Sequence, residues 1–225
     1  MVKLVAAFLI AYFIGNISPS TIIARAHGID IKKEGSGNAG TTNALRVLGK
    51  KAAVITLVID ILKGAVAVLI GTLLAGQVGA MGCALCVILG HIWPLIYKFQ
   101  GGKGIATSFG ALLALNPLLA LLELAIVAVA TLISKRMSVG SIAGLVCLPF
   151  MCIFMEPDFT IIAAVISVIM LIKHRANIVR LIHGEEPKLG IFDKDKKNKP
   201  IEESPSSADH SEDEVLSEQQ EEEES

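Results

Sequence analysis

Three short polar segments of this 225-residue chain carry residue types suited to holding phosphate. Gly35-Ser36-Gly37-Asn38-Ala39-Gly40-Thr41-Thr42-Asn43 joins glycines, whose backbone N–H groups can approach an anion closely, to hydroxyl and amide side chains. Thr42, Arg46 and Lys50 follow at i,i+4 spacing, so a short helix would align them on one face. An Arg46 guanidinium there can grip a phosphate through two parallel hydrogen bonds. Gly101-Gly102-Lys103-Gly104 sets a point charge on a flexible loop where a second phosphate can dock. His174, Asn177 and Arg180, spaced i,i+3, put an imidazole, an amide and a guanidinium on one helix face. For Arg175 beside them, a plain anchor to anionic headgroups is the simpler reading.

Two familiar motifs fail on context. Gly35-x-Gly37-x-x-Gly40 matches the dinucleotide fingerprint in letters, but that fingerprint needs a preceding strand and a soluble βαβ unit. Around Lys103, Tyr97 stands where a Walker loop has its first glycine and Gly104 where it has Ser or Thr. Cys83-x-x-Cys86 lacks the second pair that a zinc site requires, so all four cysteines read as helix packing and neither a metal nor a cofactor is expected.

The elements that must position these segments are membrane helices. The chain is 53% hydrophobic, and apolar runs of about 18 residues or more recur, the length that crosses a ~30 Å hydrocarbon core. The runs are continuous rather than alternating, which excludes a barrel. An all-α, polytopic membrane helix bundle follows, with seven spans: Val2–Ala24, Ala52–Ala75, Gly79–Tyr97, Ile105–Leu115, Pro117–Ile133, Val139–Met155 and Phe159–Ile172. The first run is longer than the ~7–15 residues of a signal-peptide core and reads as a retained span. Asn116-Pro117 divides the fourth from the fifth, because the residue before proline resists helical geometry.

Charge sets the orientation. With the N-terminus outside, seven spans place every Lys and Arg except Lys3 and Lys63 in the inner segments, as the positive-inside rule favours. Asp60 and Lys63, i,i+3 within a span, can neutralise each other as a structural pair. Glu123 has no local partner and either lines a polar cavity or sits near a span end. The expected division is a membrane domain over residues 1–186 and a disordered acidic cytoplasmic tail over 187–225, too polar to bury a core.

Together these residues resemble a family. Gly-Ser-Gly-Asn-x-Gly-x-Thr-Asn-x-x-Arg at Gly35–Arg46, Asp-x-x-Lys-Gly at Asp60–Gly64 and Gly-His-x-x-Pro at Gly90–Pro94 are similar to the bacterial membrane glycerol-3-phosphate acyltransferase that uses acyl phosphate. Gly-Gly-Lys-Gly-x-Ala-Thr at Gly101–Thr107 and His-Arg-x-Asn-x-x-Arg-Leu-x-x-Gly-x-Glu at His174–Glu186 complete the match. The resemblance implies transfer of an acyl group from acyl phosphate to the 1-hydroxyl of glycerol 3-phosphate, giving 1-acylglycerol 3-phosphate (lysophosphatidic acid) and phosphate. It implies Ser36, Lys103, His174 and Asn177 as catalytic, and Gly35, Asn38, Thr42, Asn43, Arg46, Gly101, Gly102, Gly104, Arg180 and Glu186 as substrate-binding. Partners would be glycerol 3-phosphate, long-chain acyl phosphate and the lipid bilayer, without nucleic acid, at the cytoplasmic face of the bacterial plasma membrane. Gln100 departs from the lysine often found there. The rival class is a transporter of organic phosphate, which would carry polar residues near the midplane and repeated halves. Polar motifs gathered at one face favour an interfacial enzyme.

Overall fold

The computed structural model describes residues 1–189, and the expected acidic tail lies from residue 190 outside them. Among the described residues the regular structure is helical throughout. Helix α1 (Val2–Gly15) ends at Asn16, whose amide donates to Tyr12 O at 2.7 Å. Helix α2 (Pro19–Ala26) restarts at a proline, which suits the first helical position because its missing N–H has no intrahelical partner there. The span expected over Val2–Ala24 is therefore built of two helices. Helix α3 (Thr41–Val47) is short, and after the turn at Leu48 the chain enters α4 (Gly49–Ile92).

α4 is two helical arms that follow one another without a linker and fold back on each other. Lys63 and His91 lie 28 residues apart, a separation of about 42 Å along a straight helix. Their side chains nonetheless meet at 2.7 Å. The reversal falls at Ala75 (φ −148°, ψ 23°) and Gly76 (φ 61°, ψ −150°), a left-handed conformation that glycine adopts without steric cost. Gly71 and Gly79 let the arms touch, since a side-chain carbon on either would overlap the other's carbonyl.

Helices α5 (Ile105–Leu115) and α6 (Pro117–Ser134) are separated where the sequence placed the break. Asn116 Oδ1 accepts the Leu119 N–H at 3.0 Å, capping α6, and Pro117 takes its first position. Helices α7 (Met137–Met155), α8 (Thr160–Lys173) and α9 (Arg175–Ile182) follow, the last two bent by 59° at His174.

Close contacts between small residues hold the bundle. Ala7 and Ala11 of α1 and Val87 and Ala84 of α4 are fully buried in one core. Gly15 and Gly90 touch there, and Gly64 of α4 lies against the Thr107 carbonyl of α5. The cysteines are all free, with Cys83 and Cys152 inside this core. Large apolar side chains such as Leu73 (85% exposed) and Phe154 (85%) point outward, as on a lipid-facing surface. Val2–Ala26, Gly49–Tyr97, Pro117–Ser134 and Met137–Met155 are long and apolar enough to cross a membrane, and the bent pair from Pro157 adds a fifth. α5, at 11 residues, is shorter than that criterion.

Candidate active site

The polar segments distant in sequence surround one cavity of about 470 Å³. Ser36, Asn38, Thr42, Asn43, Arg46, Lys103, Gly104, His174, Asn177 and Glu186 line it. Apolar side chains of α4, α5, α7 and α8, among them Leu57, Ile61, Phe109, Leu112, Leu145 and Met170, line the rest. The lining is thus mixed, with cations and polar side chains alongside a large apolar surface.

Asn43 organises the first segment. Its Oδ1 accepts the Ser36 N–H at 2.8 Å, and its Nδ2 donates to Ile31 O at 3.2 Å and Glu34 O at 3.0 Å. The amide therefore holds the loop that presents Ser36, and most of its hydrogen-bonding capacity is already used. Gly35 (φ 60°) serves the turn and lies outside the cavity lining, where a side chain would overlap the Asn43 amide. Thr42 and Arg46 share α3, but Lys50 lies beyond the Leu48 turn in α4, so the expected three-residue face ends at Arg46.

The glycine loop works differently from a backbone anion cradle. Gly101 N–H donates to Ile92 O at 3.2 Å and Gly102 N–H to His91 O at 3.1 Å, which leaves neither donor for a ligand. Neither glycine lines the cavity, and a side chain on Gly102 would strike the His91 ring. Their role here is to let the loop lie against the end of α4 and aim Lys103. Gly104 (φ 90°) starts α5 and does reach the cavity.

Beneath this loop is a buried polar cluster. Lys63 Nζ pairs with Asp60 Oδ1 at 2.7 Å, donates to Ile17 O at 2.7 Å and donates to His91 Nδ1 at 2.7 Å. His91 accepts through Nδ1, so its proton sits on Nε2. The expected Asp60–Lys63 pair is present and joins both arms of α4 to the α1–α2 break.

Lys103 Nζ donates to Asn177 Oδ1, Asn177 Nδ2 donates to Glu186 Oε1 at 2.7 Å, and Arg180 Nε donates to Glu186 Oε2 at 2.7 Å. Arg136 Nε adds a bond to the Glu186 carbonyl at 2.9 Å, tying the α6–α7 turn to the site. Arg180 thereby stands behind Glu186 and outside the cavity lining. Burial pushes the Lys103 ammonium down to about 8; Glu186 opposes this, and the charges of Arg180, Arg46 and Lys173 add to it. Burial alone would raise the Glu186 carboxyl, but hydrogen bonding by Asn177, the nearby Ser138 and Arg180 holds it below its ordinary value.

His174 caps α8, and its Nδ1 donates to Met170 O at 2.8 Å. That bond fixes the tautomer and leaves Nε2 as an acceptor. Burial lowers its pKa to about 4, with the Met170 carbonyl opposing, the Lys103 charge reinforcing and Glu186 opposing, so the ring is neutral at pH 7.

Several cavity residues escaped the sequence reading. His91 belongs to the Gly90–Pro94 motif but carries no expected role in the site, and Ser138 and Ser141, at the start of an apolar run, carry no spacing signal. Glu123, one of two placements expected, lines the cavity at 8% exposure with Oε2 unpartnered. Among the described residues no three His, Cys, Asp or Glu side chains converge as metal ligands.

The comparisons with known proteins agree on one family. The profile described as glycerol-3-phosphate acyltransferase matches residues 5–184. Curated glycerol-3-phosphate acyltransferases of Clostridioides difficile and Finegoldia magna are each 45% identical to the chain. The first match covers 80% of this chain and 93% of the relative, the second 81% and 94%. The crystal structure of PlsY (YgiH), an integral membrane glycerol 3-phosphate acyltransferase in its glycerol 3-phosphate form, superposes with a TM-score of 0.80 at 31% identity, covering 84% of this chain and 97% of that one. Its lysophosphatidic acid form gives 0.76 at 32%, covering 82% and 94%.

Proposed function

The chain belongs to the glycerol-3-phosphate acyltransferase family, and from that premise we propose the donor, the chemistry and the membrane placement of this protein. It is a membrane acyltransferase that converts glycerol 3-phosphate to lysophosphatidic acid. We assign the acyl donor as a long-chain acyl phosphate. The observation that carries this assignment is the cavity itself. It sets two cations on separate elements, Arg46 on α3 and Lys103 on the loop, in a cavity otherwise lined largely by apolar side chains. Two phosphates and one hydrocarbon chain fit that pattern.

Acyl phosphate is a mixed anhydride with a good leaving group, so the protein mainly aligns the reactants and stabilises developing charge. The 1-hydroxyl oxygen attacks the acyl carbonyl, and a tetrahedral oxyanion forms. The bond from the acyl carbon to the phosphate oxygen then breaks, and phosphate leaves with its electron pair. Ser36 and Lys103 stabilise the oxyanion and the departing phosphate, and Arg46 with Thr42 holds the glycerol phosphate. Asn177 and Glu186, which orient Lys103, act behind them. With a pKa of about 4, His174 is a weak base, better suited to accepting a hydrogen bond that orients the hydroxyl. The hydroxyl proton passes instead to the substrate's own phosphate, whose second pKa near 6 matches neutral conditions better.

For placement we propose seven spans: α1 with α2, the two arms of α4, and α5, α6, α7 and α8. The basic segments then share the cytoplasmic face of the plasma membrane, with the N-terminus outside. The bonds from Arg136 to Glu186 and from Leu189 N–H to Lys135 O support a common face. A membrane domain over 1–186 and an acidic appendage over 187–225 complete the reading.

Purified protein given glycerol 3-phosphate with palmitoyl phosphate or palmitoyl-CoA tests the donor. Lysophosphatidic acid is expected from the acyl phosphate alone. Equal turnover with the thioester would remove the donor assignment and leave the family standing.

A further inference from the structure

A second cleft, about 550 Å³ in volume, lies between the end of α2 with its following turn and the 3-10 turn Leu95–Tyr97. None of its residues lines the main cavity. Two cations converge in it on a single ring: the Arg25 guanidinium is 5.2 Å from the Tyr97 centroid and Lys32 Nζ is 5.7 Å from it. Lys32 Nζ also donates to Tyr97 O at 3.3 Å. Among the described residues neither cation forms an ion pair. Asp30 borders the cleft, and its Oδ1 accepts the Lys32 backbone N–H at 3.1 Å. Like charges gathered over one ring with so little compensation favour an anion between them.

The backbone beside the cleft is unusual in the same direction. Lys98 (φ 54°) and Phe99 (φ 60°) are consecutive non-glycine residues in the left-handed region, a costly arrangement that recurs at ligand clamps. The turn sets Lys98 on the cleft wall and leaves Phe99 exposed. Ile96 on the wall is exposed as well and Ile29 also lines the cleft, so the cations share it with an apolar rim.

We propose that this cleft binds the phosphate headgroup of an anionic phospholipid, with Arg25, Lys32 and Lys98 around the phosphate and Ile29 and Ile96 against its acyl chains. A free phosphate would satisfy the cations and leave the apolar rim without a partner. Occupancy would hold the strained turn that runs directly into Gly101 and so to Lys103, giving bilayer charge a route to the main site. The proposal does not depend on the acyl donor.

Native mass spectrometry of the full-length chain in neutral detergent, with dioleoylphosphatidylglycerol added, tests this directly. A retained adduct of one lipid per chain is expected under conditions that strip phosphatidylcholine. Arg25→Gln/Lys32→Gln should lower its affinity by about tenfold or more, as loss of charge-assisted bonds implies. Lys98→Gln weakens the same adduct without touching the contacts of Arg25 and Lys32 to Tyr97, which keeps the test decisive should the double variant fold poorly. Lys50→Gln/Lys51→Gln, at exposed lysines elsewhere, should leave it unchanged. The adduct should be unchanged in Lys103→Ala and in Arg46→Gln, whose side chains line the main cavity and not the cleft; its loss in either would place the lipid in the main cavity and overturn the assignment. Equal retention by the cleft variants, an equal fall in the Lys50/Lys51 control, or complete displacement by inorganic phosphate would overturn the assignment.

Discussion

Lys103→Ala is expected to lower kcat/KM for glycerol 3-phosphate by at least about 10²–10³-fold, the scale for removing one preorganised donor to a developing oxyanion. The fold should survive, because Lys103 sits on a loop and bonds only Asn177 among the described residues. Its ammonium, held at about 8 chiefly by burial, also imposes a pH limb. The charged form is present below that value and is lost as pH rises through it, so kcat/KM should fall on the alkaline side of pH 8. Lys103→Arg keeps the charge at all accessible pH, so its lower activity should lack that limb. A rate near normal in Lys103→Ala, with the alkaline limb intact, would remove Lys103 from the chemistry.

Asp60→Asn is expected to produce the largest loss of stability from a single change. It leaves the Lys63 ammonium buried without its carboxylate, and breaking a buried pair in this way costs about 3–5 kcal/mol. The loss would spread, because Lys63 also holds Ile17 O at the α1–α2 break and His91 on the second arm of α4. Asp60→Leu/Lys63→Met should recover much of the stability, since a desolvated pair is often no better than apolar residues of similar volume. The double variant would still lose the His91 contact under the glycine loop, so activity should recover less than stability does. Thermal unfolding in detergent and turnover of the same samples separate the two effects. A single variant as stable as the parent would show that Asp60 does not compensate Lys63.

These two cases mark what the sequence could and could not reveal. Asp60 and Lys63 are legible because i,i+3 spacing is local, and Asn116-Pro117 is legible because cap and proline act within one turn. The reversal at Gly76 falls in the gap between the expected spans Ala52–Ala75 and Gly79–Tyr97. The break at Asn16–Pro19 carries a local signal, Ser18 before a proline, but the length and apolarity that define the first span set membrane depth and say nothing about helical continuity. In the site, Ser36, Arg46, Lys103, His174 and Asn177 were identifiable by type, since cations and polar side chains between apolar runs need a purpose. What local pattern could not show was which groups already have partners. Asn43 turns its amide back onto its own loop, and the N–H groups of Gly101 and Gly102 are taken by carbonyls at the end of α4. His91 enters only when the two arms of α4 close. Each of these depends on a contact between residues far apart in sequence.

The central claim is that this cavity moves an acyl group, rather than a phosphoryl group, from acyl phosphate to the 1-hydroxyl. It is tested most directly with glycerol 3-phosphate carrying ¹⁸O in that hydroxyl. Acyl transfer places the label in the ester of lysophosphatidic acid and releases one unlabelled phosphate for each ester formed. Label found in a glycerol bisphosphate, with free fatty acid released, would mean attack at phosphorus and would contradict the account.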